Sequence, residues 1–414
     1  MTSPTQEIPG ERPAIAGYST RRDQLALLVG FGLGSFAWNL CWPFLPLRVH
    51  DVGLANLNEV ARAAGLLAGA CNLLTALLGS GWVLLGERFG YRLQILRAHL
   101  GTALSMTLVG LAQSVVQLAG AVVVLGSLGG NYPHYLALAS SRTAPSDVGR
   151  VVGDMQAAGQ IGGTIGPLLG GLIAGRFGVP AAFVACSAAS LVGLAVAFFG
   201  VRPDQPRHRD PTRPKGDARA AFARPGLRWL MLLFLIGDGS IQGLRPLIPI
   251  VISERLTDPA AIAATTGLCV TLATSGTVVA ALIVGRISRR VAPRSILLIT
   301  LPIAMIVAAL VPVATTIPAL LLAWLILGLA SGVTTPAIFA WAGRVAPSGG
   351  GGAYALLAIA SMMAYAVGPA MMGQASIYGL EWPFRVAAVL TGLAVLYILA
   401  GSPKPIAEPT PAAI

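Results

Sequence analysis

Twelve apolar runs, each long enough to cross about 30 Å of hydrocarbon as a helix of about 20 residues, constrain this chain more than anything else in it. They fall near 24–47, 60–85, 94–113, 117–140, 151–175, 180–200, 228–252, 261–285, 294–314, 317–342, 353–376 and 383–401. In lipid every backbone polar group must be satisfied internally, so runs of this kind predict an all-α membrane protein. The charge content agrees: 11% of residues are charged, against about 25% in a soluble chain, so lipid must solvate much of the surface.

The net charge of +12 could suggest nucleic acid, but its placement argues otherwise. Twenty-two Lys and Arg fall in the first tail, in 86–98, 141–151, 201–228, 286–295 and 343–352, and in the last tail. The alternate loops hold five, Arg48, Arg62, Arg176, Arg255 and Arg385, and Arg245 lies inside an apolar run. This bias predicts both termini in the cytoplasm. Residues 1–22, with Pro4, Pro9 and Pro13, lack an apolar core before a cleavage site and read as a cytoplasmic tail. The basic segment 201–228 reads as a solvated linker near anionic lipid. Cys41, Cys71, Cys186 and Cys269 sit in apolar runs without metal-ligand spacing, so free thiols, no metal and no cofactor are expected.

The chain repeats itself. Arg142-Thr-Ala-Pro145-Ser146 recurs as Arg344-Val-Ala-Pro347-Ser348, a shift of 202. The same shift takes Gly65 to Gly267, Gly126 and Gly130 to Gly328 and Gly332, and Gly166-Pro167 to Gly368-Pro369. Pro43 and Pro46 meet Pro246 and Pro249 at 203. The expected organisation is a tail (1–22), a six-helix bundle (23–200), a basic linker (201–228), a second six-helix bundle (229–402) and a tail (403–414). Duplicated halves of this kind place a substrate site near the bilayer midplane between them.

The fifth run carries Gly153, Gly162, Gly166, Pro167, Gly170 and Gly171. In water each interior Gly would cost a helix about 1 kcal/mol and the Pro about 3 kcal/mol relative to Ala. In a bilayer, small residues four apart let helix backbones approach closely. Gly-xxx-Gly alone is common in ordinary close-packed membrane helices. The full Gly-x8-Gly-x3-Gly-Pro-x2-Gly-Gly spacing resembles the fifth-helix antiporter motif of the drug:proton antiporters in the major facilitator superfamily.

Two further stretches carry the resemblance, and two depart from it. Leu85-Gly-Glu87-Arg88-Phe-Gly90-Tyr-Arg92 resembles the superfamily's loop motif, with Glu87 in place of Asp and Val83 in place of the leading Gly. In the family this cluster latches the cytoplasmic side when the cavity faces outward; topology charge is the plainer reading. Its second-half copy has Arg289 at the acidic position and Ala292 at the Gly, so the same pair cannot form there. Pro43-Phe-Leu-Pro-Leu47 and Leu96 to Gly101 widen the likeness to twelve-helix bacterial multidrug efflux permeases. In the fourth helix the family's arginine before Gly-xxx-Gly is replaced by Val122, beside Ala121, which weakens the case for standard proton coupling.

Ionisable groups inside a span are functional candidates by default. Asp238 lies about ten residues into the seventh run, followed by Gln242 and Arg245. Asp238 and Arg245 share a helix face about two turns apart, too far for a direct pair along a regular helix. Asp238 is expected to carry the coupled proton, with Arg245 its counter-charge or a substrate contact. A structural Asp bonded to another helix is the plainer alternative. Trp38, Asn39, Trp42, Asn131, Tyr132, His134, Gln156, Gln160, Met362, Met363 and Tyr365 suit a roomy cavity, although each alone is more often packing.

The expected function is proton-coupled efflux of small amphipathic compounds by alternating access. Its partners would be a small-molecule substrate, protons and the lipid bilayer, with no nucleic acid, in a monomer. The same fold could instead move a sugar, a metallophore or another metabolite without proton coupling. A membrane enzyme is disfavoured, because the 16 acids and four histidines (His50, His99, His134, His208) form no catalytic cluster.

Overall fold

The computed structural model describes residues 21–144, 146–204, 222–288, 290–345 and 350–401. Residues 1–20 of the first tail, the last tail, most of the basic linker, Pro145, Arg289, Pro347 and Ser348 therefore lie outside the described residues, while Arg21 and Arg22, expected in the tail, open the first helix. Every regular element among the described residues is helical. In the first half these are α1 (Arg21–Cys41), α2 (Leu45–Asp51), α3 (Leu57–Phe89), α4 (Tyr91–Leu111), α5 (Val115–Leu128), α6 (Tyr132–Ser141), α7 (Val148–Phe177) and α8 (Val179–Gly200). The second half has α9 (Pro225–Gly243), α10 (Ile248–Ser253), α11 (Pro259–Ile287), α12 (Pro293–Leu310), α13 (Ile317–Val345), α14 (Gly350–Ala375) and α15 (Trp382–Ala400).

Three runs expected as single helices are broken. The first and seventh each contain a 3-10 turn, Trp42–Phe44 and Arg245–Leu247, where two prolines remove backbone donors. The fourth stops at Leu128 and restarts at Tyr132, across Gly129, Gly130 and Asn131. Among the described residues eleven spans are long and apolar enough to cross a membrane by composition. The twelfth, α4, has 21 residues but carries Arg92, Gln94, Arg97 and His99. Large apolar side chains such as Leu77, Leu100, Leu172, Ile299, Leu322 and Leu396 cover the outer surface, as a lipid-solvated bundle requires.

The duplication holds at the level of elements. The pairs α2 and α10, α3 and α11, α4 and α12, α5 and α13, and α7 and α14 begin 202 or 203 residues apart. The packing repeats too. A methyl at Gly166 would come 2.9 Å from the carbonyl oxygen of Phe36 on α1, and one at Gly368 would meet that of Gly239 on α9. Gly126 meets Cys71 on α3 as Gly328 meets Ala273 on α11. One difference stands out: α13 runs unbroken where the first half divides into α5 and α6.

The halves join through α3 with α14 and α7 with α11. Gly65 abuts the Pro369 carbonyl and Gly267 the Pro167 carbonyl, a matched pair of contacts under the same repeat. Both lie toward the distal face, the face opposite the one where α1 begins and α15 ends. Toward that terminal face the halves part. Nothing comes within 4 Å of a methyl placed at Gly79, Gly81, Gly149, Gly153 or Gly285. A crevice of about 590 Å³ separates α7 from α11, between Gly153, Ile161 and Ile165 on one side and Val278 and Leu282 on the other.

The fifth-run glycines thus divide by neighbour. Gly162, Gly166 and Gly170 receive the carbonyls of Gly32, Phe36 and Leu40, and Gly171 faces α11. Gly170→Ala should cost about 1–3 kcal/mol by overpacking, visible as a lower melting temperature in detergent. Gly153→Ala, with open space at its Cβ, should leave melting unchanged or slightly raised.

Candidate functional site

Two adjoining cavities that share part of their walls lie between the halves. The larger, about 450 Å³, is lined by Trp38, Asn39, Asn131, Tyr132, Gln156, Gln160, Met362 and Tyr365 among others. The smaller, about 150 Å³, sits nearer the distal face against Trp38, Asn39, Trp42, Asn72, Gln242, Arg245, Thr274 and Tyr365. Trp38, Asn39, Asn72 and Tyr365 belong to both walls, so they form the waist. The indoles of Trp38 and Trp42 stack with centroids 4.6 Å apart. Asn72 ties the halves together by donating to the Tyr365 carbonyl at 3.0 Å.

The seventh span places its polar residues at different depths. Asp238 is fully buried and lines neither cavity. Its Oδ1 accepts from the Ser331 hydroxyl at 3.3 Å, and its Oδ2 is buried without a hydrogen-bond partner among the described residues. Gln242 donates to Ser331 at 2.9 Å and to the Tyr365 hydroxyl at 3.1 Å, which links the buried carboxyl to the cavity wall. Arg245 opens the 3-10 turn and faces the smaller cavity. Among the described residues no carboxylate comes within 4.0 Å of it. Asp238 and Arg245 therefore interact through space without an ion pair.

The break in the fourth span leaves the last carbonyls of α5 without helical donors. Three side chains supply them. Thr75 donates to Gly126 at 3.3 Å, the Trp82 indole to Ser127 at 2.8 Å, and the Arg97 guanidinium to Leu128. Arg97 also lies 3.9 Å over the Trp82 ring and donates through Nε to Gln94 at 2.8 Å. His134, expected in the cavity, is instead buried behind it, with Nε2 3.5 Å from Arg97. The first turn of α6 faces the larger cavity through Asn131 and Tyr132, and Gln156 donates to the Tyr132 hydroxyl at 2.6 Å. Sequence reading counted Arg97 as loop charge and passed over Trp82; a break after Gly129-Gly130 was the available signal.

At the terminal face the loop motif is anchored by a residue the sequence reading missed. Gly90 has φ +96°, and the Asp204 carboxylate accepts from the backbone N–H groups of Tyr91 and Arg92 at the start of α4. Arg92 donates to the Phe198 carbonyl, while no carboxylate pair within 4.0 Å involves Glu87 or Arg88 among the described residues. Nearby, Arg142 Nη1 donates to both oxygens of Asp23 at 2.9 and 2.7 Å, and Asp23 accepts from Arg202 N–H at 3.0 Å. Removing one partner of so buried a pair should cost about 3 kcal/mol. In a double-mutant cycle on melting, Asp23→Ala and Arg142→Ala should each destabilise, and the double variant should lose less than their sum.

A family model described as Major Facilitator Superfamily matches residues 27–264 and 239–413. The chain is 26% identical over 331 residues to a protein named multidrug resistance protein MdtG from Salmonella arizonae, covering 79% of this chain and 81% of that one. The protein of the same name from Salmonella dublin is 27% identical over the same span. Among solved structures, a bacterial homolog of the human lysosomal transporter Spinster, inward-facing and unoccupied, superposes with a TM-score of 0.75 at 18% identity, over 92% of this chain and 97% of that one. The nucleoside transporter NupG gives 0.74 at 13% identity, over 91% and 98%.

Proposed function

The chain belongs to the major facilitator superfamily, and from that premise we propose that it exports small amphipathic compounds by alternating access, with proton coupling through Asp238. The observation that carries the reading is the cavity between duplicated halves, closed on the distal side by glycine contacts and open toward the terminal face. The relatives named multidrug resistance protein support the cargo class. With the terminal face in a bacterial cytoplasm, as the 22-to-5 charge bias supports, the cavity is open to the inside.

In this reading Asp238 titrates while sealed from the cavity, and its protonation is relayed to the wall through Ser331, Gln242 and Tyr365. Its Oδ2, buried without a hydrogen-bond partner among the described residues, is where the proton would sit. Glu87, without an ion pair among the described residues, is the latch that closes the cytoplasmic side when the cavity faces outward. Val122, in place of the family's fourth-helix arginine, favours a second reading in which a metabolite crosses without protons.

Proteoliposomes with an imposed pH gradient and an internal fluorescent pH probe test the first reading. Substrate-dependent proton movement should appear in the wild type and fall at least tenfold in Asp238→Asn, the scale of losing about 1.4 kcal/mol or more of coupling. Substrate movement without a proton signal, unchanged in the variant, would establish the second reading.

A further inference from the structure

We infer that the cargo is an amphipathic acid whose anionic group is held by Arg245 in the distal cavity. This rests on the cavity being the transport site, but not on Asp238 titrating. Among the described residues neither cavity wall contains an Asp or Glu, and Arg245 is the one charged side chain on either. A cationic solute entering here would meet an unpaired guanidinium and no carboxylate. An anion would gain a charge-assisted hydrogen bond to a planar, multi-donor group.

Three other observations set the same polarity. Thr274, a residue only 9% exposed and on the same wall as Arg245, has a buried hydroxyl without a hydrogen-bond partner among the described residues. The Tyr365 hydroxyl accepts from Gln242, which leaves its own proton to donate. The N-terminus of the ten-residue α6 faces the larger cavity with its positive dipole end, through Asn131 and Tyr132. Gln242 Oε1 is the acceptor left over, and it suits a hydroxyl or amide on the same solute. The stacked Trp38 and Trp42 offer a flat apolar wall for a ring.

Anion and proton occupy different places, since Asp238 lies behind Gln242 and outside the cavity. The anion does not touch Asp238, so its binding needs no titration there, and neutralising Asp238 removes a repulsive charge. An interior-negative membrane potential drives an anion outward, so export of this cargo draws on the potential without requiring proton exchange.

Equilibrium binding in lipid nanodiscs, with empty discs subtracted, tests this using naphthaleneacetate, its neutral amide and naphthylethylamine. The wild type should bind the acid about tenfold or more tighter than the amine, the factor expected of one charge-assisted hydrogen bond. Arg245→Gln should bring acid and amine within about twofold while leaving the amide unchanged, which reports an intact cavity; Arg245→Lys should keep most of the preference. Asp238→Asn should bind the acid at least as tightly as the wild type. An acid that binds no better than the amine, or a preference that survives Arg245→Gln, overturns the inference. If the amine is preferred and exchanges for protons in vesicles, the export reading stands without it.

Discussion

Between membrane helices there is no hydrophobic drive, because acyl chains are as apolar as leucine, and what joins helices is close backbone approach. The α7 face with Gly162, Gly166 and Gly170 meets α1 carbonyls at Gly32, Phe36 and Leu40, a spacing of four on both helices. The next residue, Gly171, turns the same helix toward α11 in the other half. One helix is therefore both a wall of its own bundle and a hinge plate for its partner. The repeat supplies a second such helix: Gly368 seats α14 on α9, and Pro369 offers its carbonyl to Gly65 on α3. Because each half closes on itself through such contacts, the halves can part at one face without loosening internally.

The polar interior follows from the breaks in the helices. Prolines interrupt the first and seventh spans at matching positions, and the second break carries Arg245 to the cavity wall. The third break has no counterpart in α13, so the first half alone presents a helix N-terminus to the cavity. Its orphaned carbonyls need donors, and Thr75, Trp82 and Arg97 provide them. Where the break would fall, α13 has Ser331, and that hydroxyl holds Asp238 instead. The two halves thus use equivalent positions for different work, one to shape a helix end and the other to hold a buried acid.

Much of this was legible in the sequence because it depends on pattern. Apolar runs mark the spans, the glycine spacing marks the tight faces, and the recurring Arg-x-Ala-Pro-Ser marks the duplication. Pro43, Pro46, Pro246 and Pro249 were visible, but the resulting 3-10 turns were not foreseen. What escaped depends on tertiary neighbours. Nothing near Arg97 says that its partner is a carbonyl 31 residues later, and nothing near Asp204 says that it caps α4. His134 reads like a cavity residue until the break in its span rotates it away from the space. Asn72 and Thr274 were passed over because single polar residues in apolar runs are common and only the opposing half reveals which of them face inward.

The polarity of α4 reaches back to how the chain enters the membrane. An arginine at the middle of a span costs about 2.5–3.5 kcal/mol on insertion, and less toward its end; α4 carries Arg92 in its first turn and Arg97 in its second, against six leucines. Its Arg97 stacks on Trp82, which is synthesised before it, and donates to Leu128, which is synthesised after it. The third span is therefore the one least able to settle on its own hydrophobicity. The contacts of Arg97 are complete only once the chain extends through α5, which makes the settling of α3, α4 and α5 a joint event and not a sequence of independent ones.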